Sequence, residues 1–181
     1  MYAIPRYPVH LIDMITLPDG SRITIRPMLP QDVELQMRFF RSLSDEGRYH
    51  RFMTRFQELP KALVELFANI DHKSHIALLA EIFKDGNEIM IGEARYVIGL
   101  SDPTTCEFAI AVSDEWRAHG IARALLDRLE REAAASGVIR MMADTLLSNK
   151  PMLGFAWRAG YTVTTNAGDP TLARLEKCLN A

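Results

Sequence analysis

Cysteine is scarce: two occur in 181 residues, Cys106 and Cys178, and they form no C-x-x-C pair. That spacing excludes a zinc ribbon or a dithiol redox centre as a working reading. Both fall in expected strands, where a small buried apolar thiol is the expected state. No apolar run approaches the roughly 18 residues needed to cross a bilayer. The opening residues, Met1 to Pro8, lack the apolar core of a signal peptide. An excess of one charge is missing too, since 21 Lys and Arg face 23 Asp and Glu. Such a balance argues against a wholesale polyanion binder, so nucleic acid and membrane are not expected partners. Repeats, low-complexity tracts and Pro- or Gly-rich linkers are absent. The expectation is a soluble cytosolic chain with one domain over 1–181, of which 1–20 is an extended lead-in.

What is present is a core. Apolar residues make up 48% of the chain, and a domain of this length buries roughly 70% of its unfolded surface without a disulfide or metal. Met14 to Leu17 and Ser21 to Arg26 read as strands around a Pro18-Asp19-Gly20 turn. Pro30 and Asp32 open a helix whose apolar side is Val33, Leu35, Met37, Phe40 and Leu43. Short helices follow over Asp45–Met53 and Pro60–Asn69. Apolar runs His75–Phe83 and Glu88–Ile98 are joined by Lys84-Asp85-Gly86-Asn87, a hairpin signal. Thr105–Val112 is the next strand. Gly120–Ser136 is an amphipathic helix, with Ile121, Leu125 and Leu129 recurring at i+4. Strand Ile139–Leu146, helix Lys150–Ala159, a strand opening at Gly160-Tyr161 and strand Thr171–Leu179 complete the chain. Hairpins first and a β-α-β crossover later predict an α/β fold with a mixed sheet and helices on both faces.

The strand-to-helix junction carries the chemistry. Glu107-Phe108-Ala109-Ile110-Ala111-Val112 runs into Ser113-Asp114-Glu115-Trp116 and then Arg117-Ala118-His119-Gly120-Ile121-Ala122. Amides at a helix start lack internal partners and sit at the positive end of the dipole, which favours an anion. Gly120 allows a phosphate close to the backbone, and Arg117 and Arg123 add charge-assisted bonds. The pattern is neither G-x-G-x-x-G nor a P-loop, and by itself an ordinary strand-to-helix turn is equally compatible with it.

Arg117-x-x-Gly120-x-Ala122 resembles the coenzyme A pyrophosphate loop of the GNAT acyltransferases. Leu125-Leu126, Gly137, Asn149-Lys150-Pro151-Met152 and Ala159-Gly160-Tyr161 extend the likeness, which runs from about residue 22 to residue 165. A nearer likeness is to the GNAT domain of bacterial Pat-type protein lysine acetyltransferases. It is carried by Arg22-Ile23-Thr24-Ile25-Arg26-Pro27, Phe40-Arg41-Ser42-Leu43-Ser44, Arg48-Tyr49, Arg51-Phe52 and Cys106-Glu107-Phe108-Ala109. The resemblance implies transfer of an acetyl group from acetyl-CoA, the co-substrate, to an amine, with a protein lysine favoured. It implies that the backbone around His119, Gly120, Ile121, Ala122 and Arg123 holds the pyrophosphate, helped by Arg117. Ile110 and Val112 would flank the pantetheine arm, and Asn149 would contact the coenzyme near the thioester. A small amine as acceptor, or an idle acyl-CoA sensor, are the alternatives. Acceptor identity and oligomeric state stay open at this level.

Glu107 is the candidate general base. It opens the strand among apolar neighbours, where partial burial is expected to favour proton uptake; the resemblance assigns a glutamate on this strand the same role. Many relatives place an acid tyrosine seven residues after the asparagine, but here that position is Ala156. Either the thiolate leaves unassisted or Tyr161 or Ser148 helps. His72 and His75 have metal-like spacing without a completing set, so no metal is expected. Arg38, Arg41, Arg48, Arg51 and Arg55, interleaved with aromatics, read as the wet basic side of a helix pair; the resemblance implies that this region edges the acceptor site. Glu81, Glu88 and Glu93 are either attractors for a cationic amine or solvent-facing strand residues.

Overall fold

Pro18-Asp19-Gly20 reverses the chain between β1 (Asp13–Thr16) and β2 (Arg22–Pro27) in the computed structural model, which describes residues 7–179. Three helices follow, α1 (Val33–Ser42), α2 (Asp45–Phe52) and α3 (Lys61–Ala68). The hairpin of β3 (His75–Lys84) and β4 (Asn87–Ile98) turns at Asp85-Gly86, with φ of 52° and 79°. Two successive left-handed residues make the tight turn whose twist matches the flanking strands. Then come β5 (Thr105–Val112), α4 (Ile121–Ala135), β6 (Arg140–Leu146), α5 (Lys150–Arg158), β7 (Thr162–Thr165) and β8 (Leu172–Cys178).

All eight strands form one sheet in the order β1-β2-β3-β4-β5-β6-β8-β7. Every neighbouring pair is antiparallel except β5 with β6, which α4 connects as a crossover. Strand alternation sends side chains to two cores. Ile76 and Leu78 of β3 meet Ile121, Leu125, Leu126 and Leu129 of α4. Ala77 and Leu79 face the other way, against Leu35 and Phe39 of α1. The mixed sheet covered on both faces is therefore the predicted fold class.

Three local expectations change. Residues 13–16 are an edge strand, so the lead-in is shorter than 1–20, and its residues 1–6 lie outside those described. On α1, Phe39 and Gln36 are buried while Val33 and Met37 are only half-buried, because the helix is rotated to bring Gln36 onto a buried carboxylate. Cys106 is the buried thiol expected, pushed up to about 12 by desolvation. Cys178, the last residue of β8, is exposed instead.

That buried carboxylate is Glu93 on β4. Its Oε2 accepts from Gln36 Nε2 and Arg95 Nη2, both at 2.8 Å, and its Oε1 accepts from Arg51 Nε at 3.0 Å. The Arg95 guanidinium also lies 3.9 Å from the Phe67 ring centroid. Arg26 likewise neutralises Glu81, at 3.0 Å, and Asp32, at 2.7 Å. Glu81 and Glu93 are thus internal ion-pair partners rather than lures for an amine; Glu88 stays exposed. Arg51 is correspondingly not on a wet side, since only 9% of its side chain is exposed. Burial alone raises a carboxyl, but the two guanidiniums outweigh it and hold Glu93 down at about 2. A carboxyl depressed in the folded state stabilises above its ordinary value, and that stability is lost as pH falls from about 4.5 towards 2. Urea unfolding at pH 7 and pH 3 is expected to show an acid loss on the order of a few kcal/mol from this group. Glu93→Gln is expected to be less stable at pH 7 and to lose less on acidification.

Candidate active site

β5 and β6 pair in parallel over only three positions, Thr105↔Arg140, Cys106↔Met141 and Glu107↔Met142. Beyond them both strands continue unpaired with each other, and a cavity of about 530 Å³ opens in the gap. Residues 108–112 of β5 form one wall and Ala143, Asp144 and Thr145 of β6 the other. Strand edges left unpaired expose N–H and C=O groups, so this gap suits an extended, amide-bearing ligand such as a pantetheine arm. Ile110 and Val112 line it.

At the far end of β5 the chain makes the predicted loop. Ala118 and Gly120 both adopt left-handed backbone, with φ of 63° and 79°. For Ala118 this is a strained conformation; for Gly120 it is the ordinary use of glycine. A Cβ on Gly120 meets nothing within 4 Å, so open space for a ligand lies above it. The first bond of α4 runs from Ala124 N to Gly120 O at 3.0 Å. The amides of Ile121, Ala122 and Arg123 therefore precede the helical ladder and remain free to receive an anion. All three residues line the cavity, as do Gly120 and Arg117. Arg117 pairs with Asp114 at 2.6 Å and Arg123 with Asp127 at 2.8 Å; both guanidiniums are about half exposed and within reach of a ligand. His119 is exposed and outside the lining, its Nδ1 2.8 Å from the Arg117 carbonyl. Its backbone, not its ring, belongs to the loop.

Asn149 caps α5. Its Oδ1 accepts from Met152 N at 3.2 Å and its Nδ2 donates to Thr145 Oγ1 at 3.2 Å, with the residue 8% exposed and on the cavity wall. From α5 itself Pro151, Met152, Phe155 and Arg158 face the cavity. No hydroxyl is among them. Tyr161 is buried against Phe108, ring centroids 5.2 Å apart, and burial with the Glu130 carboxylate pushes its hydroxyl far up. Neither Tyr161 nor the exposed Ser148 lines the cavity.

Glu107 stands at the last paired position of β5, where the gap begins. The expected burial is absent: Glu107 is exposed and outside the cavity lining. Val97 and Met142 flank it in register, but Val97 is itself 41% exposed, so no element covers this face. α2 lays Gly47, His50 and Arg51 over the cavity; of the three, only Arg51 stands in the run that the resemblance places at the acceptor's edge. Their i, i+3, i+4 spacing is a helix-face signal that the sequence does carry. Trp116 and Asp144 were equally unmarked. A lone acid within Met141-Met142-Ala143-Asp144 is the one hint of the latter.

A gap between splayed parallel strands, closed at one end by a loop of free helix-start amides, has the shape and donors to take a coenzyme carrying an acyl group. The model of the acetyltransferase (GNAT) family matches residues 36–161, and the chain belongs to that family. It is thereby an acetyl-CoA-dependent acetyltransferase, and the open loop and gap fit that co-substrate. The chain is 30% identical to the GNAT domain of Streptomyces lividans PAT, with a TM-score of 0.86 over 96% of this chain and 100% of that one. It is 26% identical to an acetyltransferase of Pseudomonas aeruginosa over 86% of this chain and 83% of the relative. Acetyltransferase Pat of Mycolicibacterium smegmatis is 30% identical over 76% of this chain, which spans only 42% of that longer protein. Among the described residues no helix is long and apolar enough to cross a membrane.

Proposed function

We propose that this chain, as a single domain, acetylates lysine side chains of proteins in the cytoplasm with Glu107 as general base. The observation that carries the reading is the position of Glu107. It stands where β5 and β6 part, at the opposite end of β5 from the anion-binding loop, and it faces solvent. A carboxylate at the surface is reachable by a side chain presented on a folded partner. An enclosed acid would suit a small amine instead. The likeness to Pat-type domains supports the same acceptor.

In the reaction, Glu107 takes a proton from the lysine ammonium. The freed nitrogen attacks the thioester carbonyl, the C–N bond forms, the nitrogen releases its second proton to solvent and the C–S bond breaks. Coenzyme A leaves as thiolate and gains its proton from solvent, since α5 offers no acid. Arg117 and the amides of 119–123 hold the pyrophosphate, and Asn149 fixes the wall near the thioester.

Coenzyme A release measured with acetyl-CoA tests the reading, against a panel of lysine-bearing proteins and peptides and a panel of small amines. Acetylated lysine, read by mass spectrometry, is the expected product. Turnover confined to small amines would replace the acceptor assignment. Binding of acetyl-CoA with no turnover on either panel would make the chain an acyl-CoA sensor.

A further inference from the structure

The face of the sheet that carries Glu107 carries an ion pair beside it. Met142 is the register partner of Glu107, and Asp144 lies two residues further along β6 on the same face. Asp144 lines the cavity. Its cross-strand partner on β8 is Arg174, which grips it with two bonds, Nε to Oδ1 at 2.5 Å and Nη2 to Oδ2 at 2.9 Å. The third guanidinium nitrogen, Nη1, leans back to Met142, 3.7 Å from Sδ, which is towards Glu107. Arg174 thus stands among acids: Asp144 bonded to it, and Glu107 and Glu176 within Coulombic reach. Glu176 is shared with Arg140 at 3.4 Å. Thr164 of β7 faces Arg174 in register without charge. From α2, His50 and Arg51 look into the same cavity, with Arg51 engaged by Glu93. Side-chain exposures of 37% for Arg174 and 22% for Asp144 leave the pair accessible at the mouth of the gap.

A fixed cation there has a use. The acceptor arrives as an ammonium and must attack as a neutral amine. A bidentate pair across two strands is more rigid than a free side chain, so the cation keeps its place while the acceptor docks. We propose that Arg174, clamped by Asp144 across β6 and β8, is a positioning residue of the acceptor site that keeps positive charge beside Glu107 and so eases loss of the acceptor's ammonium proton. This rests on the reading of Glu107 as the base at the acceptor end. The pair also limits negative charge at the mouth: with Arg174 present, Glu107 and Asp144 sum to one net negative charge, and without it to two.

The test is the pH dependence of kcat and KM for acetyl transfer, with a lysine peptide and with a small amine, in R174Q, R174K and D144N. In R174Q the site holds the ammonium more tightly and releases its proton less readily. The acid limb of the kcat profile is expected to move up by about 0.5–1 pH unit, a loss of about 3–10-fold at fixed pH, with KM unchanged or lower. In D144N the charge change has the opposite sign, so the limb is expected to move down and KM to rise. R174K keeps the charge and is expected to restore most of the wild-type profile. Melting temperature with and without acetyl-CoA checks that each variant folds and binds. A limb that stays in place in both neutralising variants overturns the proposal, as does a rise in KM alone in R174Q. Activity with small amines but not with the peptide, with the limb shifts intact, overturns only the protein-lysine reading. No turnover with any amine overturns the catalytic reading and this proposal with it.

Discussion

Glu107→Gln is expected to lower kcat by about 10²–10⁴, the usual worth of a positioned general base. The side chain is exposed and makes no hydrogen bond that folding depends on among those described, so the near-isosteric amide is expected to leave the fold intact. Glu107 also lies outside the cavity lining, and the rise in melting temperature with acetyl-CoA is expected to persist. The wild-type rate is expected to climb with pH as base and amine lose protons, and the variant to lose the lower part of that climb. Towards the pH where free lysine deprotonates, about 10.4, the gap between the two should narrow, because the amine no longer needs a base. A rate equal to wild type at neutral pH hands the role to water or another group. The exposure of Glu107 adds a condition. Water must be displaced for the carboxylate to act strongly on the ammonium, and a docked acceptor would displace it.

Gly120→Asp is expected to abolish acetyl-CoA binding. Saturating coenzyme, at about 100 times its Kd, stabilises a protein by about 2.7 kcal/mol through mass action. For a domain of this size that is about 5–10 °C in melting temperature, and the rise is expected to vanish in the variant. Two effects act together. The carboxylate occupies the space above Gly120, where nothing of the protein lies within 4 Å, and it repels a pyrophosphate held by the neighbouring amides. The φ of 79° is also unfavourable for an L-residue. Gly120→Asn separates the two, since asparagine tolerates left-handed backbone better than most residues and carries no charge. Its expected binding is weakened but measurable. A folded Gly120→Asp protein that binds acetyl-CoA as tightly as wild type removes the loop from the site.

Periodic segments are legible in the sequence itself. Thr105–Val112 is β5 to the residue, and the i+4 recurrence of Ile121, Leu125 and Leu129 is the buried stripe of α4. Asp85-Gly86 marked its hairpin because few residues other than glycine and asparagine or aspartate accept that backbone. The turn from β5 into α4 was legible for a similar reason: its glycine and the helix start that follows are concentrated in a handful of consecutive residues.

Partners far apart in sequence were decided only by the tertiary structure. Arg51 belongs to a basic run in sequence, yet it is buried because Glu93, 42 residues away, meets it across the α2–β4 packing. Asp144 and Arg174 stand 30 residues apart and meet through the antiparallel register of β6 and β8, which local pattern does not specify. Glu107 shows the limit most directly. Its place on the strand and the chemistry of a carboxylate there follow from the sequence. Its exposure does not, because burial is set by what packs over a face, and here β5 and β6 part company with no helix covering the point where they do.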